Sequence, residues 1–465
     1  MWAEVLDEPE LEFGGAQRHV DPRFGISTFG PADLGLSSAP TTIRLGLVGS
    51  RDQLDDLRRW MDRCTKPIAA KDAKYPHLFP SFPGCDSSVG LFTTFTFADR
   101  NCREVPDREL SRAANLPGEL AVTAMVDAYM DELEAIAEDN RVDVIVVARP
   151  DDLNDVNLPS SKNGITPNFH DLLKARALHL GKPLQIMRRS TWDETAPPPP
   201  NRSRQDEATR AWNVHVALYY KAGGVPWRLQ RASTDLSTCY VGISFYRSGG
   251  TDTLDTAVAH IFNELGDGVI VRGGTAHVSN EDRQPHLIGA DARQLLLNAL
   301  TVYKREHRTL PARVIVHKSS RFTSDETDGF NAAADERDLH ALDLVWITNS
   351  ENALLFRPGS APPLRGTFMS LSKHEHLIYT RGSVDFYSTY PGMYVPRPLG
   401  LRTAQLTVSP RELGIETLAL SKMNWNQSRL DGRSPITLQT ADQVKQILRF
   451  CNPERDIATR YAQYM

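Results

Sequence analysis

Cys239–Tyr246 reads CYVGISFY and Ala312–Ser320 reads ARVIVHKSS. Each is an apolar, β-branched run with polar residues at its end, the pattern of a strand buried on both faces at the centre of a sheet. Gly268–Arg272 and Leu342–Thr348 read as further strands, and Glu207–Lys221, Asp291–Glu306 and Glu326–Asp338 as helices between them. Ala257–Leu265 is predicted as another helix, and short strands near 352–357, 366–371 and 376–380 as a meander. Ser409–Leu420 and Thr440–Cys451 close the chain as helices. The second half is therefore expected to be α/β with mixed strands.

The first half alternates in the same way. Ile43–Gly49 (IRLGLVG), Val142–Ala148 (VDVIVVA) and Leu184–Met187 (LQIM) are strand-like. Gln53–Met61, Pro117–Asn140 and Phe169–Leu180 are helix-like, the second with Leu120, Met125, Ala128, Leu133 and Ile136 on one face. This predicts a doubly wound domain. Residues 1–40 look like an extended arm, Ala69–Arg108 like mostly loop, and the prolines at 197–200 like a semi-rigid linker. The expected organisation is an arm over 1–40, a first domain over 41–200 and a second over 201–465. The first strand ends in Gly49–Ser50–Arg51 with no G-x-G-x-x-G, so a dinucleotide site is poorly supported.

Composition is that of an ordinary globular chain, 40% hydrophobic and 24% charged. No run of about 18 apolar residues exists, and the acidic N-terminus has no apolar core of a signal peptide. Five scattered cysteines without a C-x-x-C pair argue against a zinc site or a disulfide framework, and for a reducing compartment, the cytoplasm. A net charge of -5 does not announce a nucleic-acid binder, so any such function must rest on local constellations.

One constellation is polar and basic. His170 and Lys174 share a helix face, Gln185 follows eleven residues after Lys174, and Asn213 and Lys221 lie on a helix that stops at Gly223–Gly224. Two cations, an imidazole and two amides suit a terminal phosphate, which needs several donors and positive charge. The bland alternative is a solvated helix face with surface lysines. The order His-x-x-x-Lys, Gln, Asn-x7-Lys-x-Gly-Gly resembles the MID-domain pocket in which Argonaute proteins hold the 5′-phosphate of a guide strand. His170 stands at the stacking position of that pocket, and Ala217 stands where some members carry a second basic residue.

The resemblance implies a Rossmann-like MID domain followed by an RNase H-like PIWI domain. RNase H-like nucleases hold two divalent metals with about four carboxylates. Here the first position is Ser244, after Gly242–Ile243, and the third is Ser319, after His317–Lys318. Asp442 keeps the fourth, and Glu281 or Asp282 are loop candidates for the second. A neutral hydroxyl is a poor magnesium ligand beside a carboxylate. No Asp or Glu lies between Cys239 and Ser248 or between Pro311 and Thr323, so a slipped alignment would not rescue the site. The expectation is a PIWI domain that does not cut; an active guided nuclease is the alternative.

Further residues are implied by the resemblance. Asn424, Asn426, Arg429 and Arg433 fall in the segment that faces the guide–target duplex, although a capped helix end around a buried Trp425 reads equally well. Met465 falls where bacterial members use a C-terminal carboxylate to ligate Mg2+ at the guide phosphate. The match to short prokaryotic Argonautes implies a guide RNA with a 5′-phosphate and a single-stranded DNA target. It also implies a partner protein with an APAZ domain fused to an effector, a sirtuin-like NADase before a TIR-domain NADase or a nuclease, acting in antiviral defence by NAD depletion.

Overall fold

The computed structural model describes residues 1–151, 166–198, 203–230, 237–247, 254–263, 268–349, 353–452 and 460–465. Four strands of the first half form a parallel sheet in the order Thr94–Glu104, Thr42–Gly49, Val144–Ala148, Leu184–Met187. Val144–Ala148 is buried throughout, as a strand with helices on both faces must be. The helices Arg51–Arg63, Glu119–Ala137 and Phe169–Ala177 follow successive strands, which is the doubly wound arrangement expected.

A nine-stranded mixed sheet dominates the second half. Its order is Trp2–Val5, Thr367–Ser370, Glu375–Ile378, Leu399–Gln405, Ala341–Thr348, Arg313–Lys318, Thr238–Arg247, Leu254–Asn263, Gly268–Arg272. The two strands from which the fold was read are central and pair in parallel, His317 opposite Gly242 and Lys318 opposite Ile243. The helix Ile436–Leu448 crosses this centre so closely that a Cβ on Gly242 would sit 2.3 Å from the Thr437 carbonyl oxygen. Glycine is required there by contact, not by backbone conformation.

Several expectations fail for identifiable reasons. Residues 257–263 of the expected helix Ala257–Leu265 belong to the strand Leu254–Asn263, paired antiparallel on both sides, and 264–265 lie outside the described residues; ladder pairing outweighs a local pattern that fits either period. The loop reading of Ala69–Arg108 missed Thr94–Glu104, an edge strand exposed on much of its length and therefore without an apolar run. Leu120 is 60% exposed and does not share the buried face of its helix. Residues 353–357 form no strand, whereas Thr367–Ser370 and Glu375–Ile378 answer to the other two segments of the meander. The closing helix starts at Ile436 rather than Thr440, and the prolines at 199 and 200 lie outside the described residues.

Residues 1–40 are not a free arm. Trp2–Val5 is an edge strand of the large sheet, and Leu11–Glu12 pairs with Arg18–His19 and Arg228–Leu229. Asp21 caps the helix Pro22–Phe29, accepting from the N–H groups of Arg23 and Phe24. Glu8 meets two buried cations, Arg365 at 2.7 Å and Lys422 at 3.0 Å. Burial alone would raise its carboxyl pKa, but Arg365 and Lys422 together hold it below the ordinary value.

Glu8→Ala strands both cations and should cost about 3–5 kcal/mol, the usual penalty for breaking a buried pair from one side. Urea unfolding should show a lower midpoint at unchanged slope; a loss below about 1 kcal/mol would mean the cations are satisfied by other groups. Since the native Glu8 pKa is depressed, its contribution is present above the ordinary carboxylate pKa and is lost as pH falls, so acid should narrow the gap between wild type and variant.

Candidate nucleic-acid interface and degenerate metal centre

The polar constellation assembles at the ends of three elements. Asn168 caps the helix Phe169–Ala177, its side chain accepting from the Asp171 N–H at 2.9 Å. Asp171 then faces the His170 imidazole at 2.8 Å and accepts from the Asn168 amide at 2.6 Å. The His170 ring is half exposed and held in place by that carboxylate. One turn on, Lys174 is buried and donates to the main-chain oxygens of Tyr464, at 3.2 Å, and Met465.

Lys221 enters from the last turn of Glu207–Lys221 and donates to the Gln185 side-chain oxygen on the strand Leu184–Met187. The two glycines behind it have separate duties. Gly223 takes a left-handed conformation, φ 98°, that ends the helix. Gly224 leaves room for Tyr219, whose ring a Cβ would approach to 2.3 Å.

Lys174 and Lys221 are both at least nine-tenths buried, and among the described residues no side-chain carboxylate stands within ion-pair distance of either. Burial lowers the Lys174 ammonium to about 7, with Asp171 opposing the shift. Burial, and then the charge of Lys174, pushes Lys221 well below its usual value. Two buried ammonium groups that meet main-chain and amide oxygens, and no side-chain carboxylate among the described residues, form a pocket short of negative charge.

Asn213 is not part of it. Its amide donates to Gln205 at 3.2 Å, and its oxygen accepts from the Ser428 N–H and hydroxyl at 2.9 and 3.0 Å. Helical spacing put Asn213 near Lys221 in angle, but two turns separate them along the axis. The oxygens of Tyr464 and Met465, with Asp171 as the group that orients His170, complete the pocket. Met465 was named from the resemblance, whereas for Asp171 the only sequence signal was the capping pattern Asn168-x-x-Asp171.

The pocket also fits the chemistry of a bridging Mg2+, which binds through one or two protein oxygens and takes phosphate and water for the rest. Met465 offers such an oxygen, though Lys174 already donates to it. Among the described residues no group of three or more His, Cys, Asp or Glu side chains is placed to hold a metal.

On the large sheet the degenerate positions do meet. The buried Ser244 hydroxyl donates to Asp442 at 2.7 Å, and Lys445 reaches the same carboxylate oxygen at 2.5 Å. Ser319 and Ser244 follow the paired residues Lys318 and Ile243, so Ser319, exposed, lies just past the end of its strand beside Ser244, which is still within the neighbouring strand. Between them and the helix Ser324–Glu336 sits a cation the sequence reading overlooked. Lys318 is fully buried, pairs with Glu326, donates to the Arg321 carbonyl at 2.8 Å, and is lowered to about 8 chiefly by burial. Asp282 accepts from the Gln284 N–H at 2.9 Å and faces His286 at 3.0 Å, and is thus engaged within its own turn.

Asn424 is buried and accepts from the Asn426 N–H at 2.9 Å in a local turn, whereas Asn426, Arg429 and Arg433 are exposed. Trp425 is core, stacked on Tyr220 with ring centroids 4.5 Å apart. The segment is thus a buried anchor carrying an exposed polar rim.

No family model and no curated protein matches the sequence. Solved structures do. Clostridium butyricum Argonaute bound to a guide DNA (5′ deoxycytidine) and a 19-mer target DNA matches with TM-score 0.68 at 14% identity, over 99% of this chain and 54% of that one. Aa-Ago with externally bound siRNA matches with TM-score 0.58 at 14% identity, over 98% of this chain and 55% of that one. This chain spans about half the length of those Argonautes and shares their fold, a MID-like parallel sheet followed by an RNase H-like PIWI sheet. Among the described residues no helix is long and apolar enough to cross a membrane.

With native Lys174 titrating at about 7 and an ordinary lysine at 10.5, the unfolded chain binds more protons between those values. Stability of the unliganded protein should therefore rise with pH through that window, and Lys174→Met should flatten the rise. Thermal melts across the range check this; equal slopes for the two proteins would place the charge excess elsewhere.

Proposed function

We propose that this chain holds a guide strand by its 5′-phosphate and presents it for pairing with a complementary target that it does not cut. The observation that carries the proposal is the pair Lys174 and Lys221, buried in one pocket with no side-chain carboxylate within ion-pair distance among the described residues. A phosphate supplies the negative charge that this pocket lacks, and His170, oriented by Asp171, offers a ring beside it on which a first base can stack. The related fold of an Argonaute solved with guide and target supports the reading. Specificity would then reside in base pairing, with the protein contacting backbone and the 5′ end.

Guide RNA and single-stranded invader DNA are the strands proposed, in the cytoplasm of a prokaryote. The output is proposed to lie in an APAZ-domain partner, with a sirtuin-like NADase favoured over a TIR-domain NADase or a nuclease; this part rests on the family resemblance alone. Mg2+ enters as a proposed bridge between Met465 and the phosphate, where it would neutralise charge.

Lys174→Ala or Lys221→Ala should each cost about 1.5–3 kcal/mol of guide affinity, the scale of a charged hydrogen bond. The loss should be much smaller for a 5′-hydroxyl guide. Equilibrium binding with both guides, with and without EDTA, separates the contributions: equal losses for both guides would mean general backbone contacts, and indifference to EDTA would remove the ion from the proposal.

The alternative of an active guided nuclease is favoured by one observation, the retained and half-exposed Asp442. Against it, Ser244 and Lys445 already occupy that carboxylate, and Ser244 and Ser319 bring no charge to a metal. Purified protein with guide, target and Mg2+ or Mn2+ should leave the target intact. Cleavage that disappears in Asp442→Ala would reverse the conclusion.

A further inference from the structure

The face bearing Arg429 and Arg433 carries a second feature that the phosphate pocket does not use. The segment Lys66–Phe79 (KPIAAKDAKYPHLF) is exposed over most of its length and interleaves cations with rings. Lys71 lies 5.1 Å from the centroid of Phe79, and Lys74 lies 5.3 Å from that of Tyr75. His77 stacks on Phe386, centroids 4.8 Å apart and planes 16° apart, with its Nδ1 2.8 Å from the Phe386 carbonyl oxygen. Beneath these rings Leu78 packs with Val384, Tyr387 and Leu430, and Arg23 donates to the Leu78 carbonyl at 3.1 Å. The segment is thus fastened to the second sheet's loops, and Leu430 places Arg429 beside it.

Its distance from the pocket follows from one helix. Lys221 and Asn213 are eight residues apart on Glu207–Lys221, about 12 Å at 1.5 Å per residue. Asn213 holds Ser428 by two hydrogen bonds. A strand advancing about 3.4 Å per nucleotide from Lys221 therefore comes level with Arg429 after about three or four nucleotides. The exposed segment carries Lys66, Lys71 and Lys74 against Asp72, and residues 429–433, joined to it through Leu430, carry Arg429 and Arg433 against Asp431, five cations to two acids in a chain whose total is -5.

We infer that Lys66–Phe79, with Phe386, is a second nucleic-acid contact that grips the unpaired guide strand beyond its first few nucleotides. The ammonium groups of Lys71 and Lys74 pair with phosphates, and the rings of Tyr75 and His77 give bases a surface to stack on, which tolerates any sequence. This rests on the guide-holding reading for the identity of the strand.

The test compares wild type with Lys71→Glu/Lys74→Glu, and separately with Tyr75→Ala, at exposed or half-buried side chains whose replacement should leave melting unchanged. Fluorescence anisotropy is read with single-stranded RNA of about four and about sixteen nucleotides, 5′-phosphorylated or 5′-hydroxyl, over a salt series. For the longer RNA, the charge reversal should weaken binding by about tenfold or more and make the log–log salt slope shallower by about 1.4, as for two lost phosphate contacts. Tyr75→Ala should weaken it by about fivefold or more with little change of slope. The shorter phosphorylated RNA should bind all three proteins alike. Unchanged affinity for the longer RNA, or equal losses at both lengths, would overturn the inference. The pocket is judged separately: if Lys221→Ala binds the short phosphorylated RNA as wild type does, that reading fails, while the longer 5′-hydroxyl RNA still reports on Lys71 and Lys74.

Discussion

Two ammonium groups buried in one pocket, with no side-chain carboxylate partner among the described residues, constrain the architecture around them. A charge taken out of water must be met by oriented oxygens or it sheds its proton. Here the oxygens come from distant stretches of chain. Gln185 lies on the last strand of the parallel sheet, and Tyr464 and Met465 lie 290 and 291 residues beyond Lys174. No side-chain carboxylate among the described residues joins these oxygens, which leaves the pair short of negative charge. The helix ending in Gly223–Gly224, the cap at Asn168 and the packing of Tyr461 and Tyr464 serve the same placement.

The centre of the large sheet presents the opposite balance. Four carboxylates gathered at strand ends repel one another unless metals sit between them. Ser244 in place of one acid converts repulsion at Asp442 into a hydrogen bond, and Lys445 adds a positive charge on the same side. Lys318, buried beside the strand end that carries Ser319, is paired to Glu326 and makes the surroundings still less hospitable to a divalent cation. The sheet, the tight approach of Thr437 to Gly242 and the bond from His317 to Thr437 all persist without the acids.

The sequence was most legible where burial dictates composition. The strands at 43–49, 142–148, 239–246 and 312–317 are runs that only a two-sided core explains, and each overlaps an observed strand to within two residues at either end. Pocket residues on element ends, Lys174, Gln185 and Lys221, were legible because a buried cation beside a capping glycine pair is an unusual demand on the chain. What escaped detection depends on partners far away in sequence. Thr94–Glu104 is a strand because Thr42–Gly49 pairs with it, Leu254–Asn263 because strands flank it on both sides, and residues 1–40 are ordered because Glu8 meets Arg365 and Lys422. Asn213 was placed by angle around its helix without regard to distance along it.

That same helix decides how the pocket and the exposed arginines relate. From Asn213 to Tyr220 is seven residues, nearly two full turns, so both lie on one stripe, and Lys221 is about a quarter-turn away. The stripe holds the 425–428 segment, Tyr220 by stacking on Trp425 and Asn213 by accepting from Ser428. The neighbouring face sends Lys221 to Gln185. The other end of the helix is fastened by Trp212, whose indole donates to the Ser81 carbonyl at 3.0 Å. An α-helix of this length transmits position with little give, so the separation between an anchored phosphate and Arg429 is fixed by helical rise and not by loop conformation. If the chain holds a guide as proposed, a strand bound at one end would reach the arginines in a set register, and this spacing, more than any single contact, would define where pairing begins.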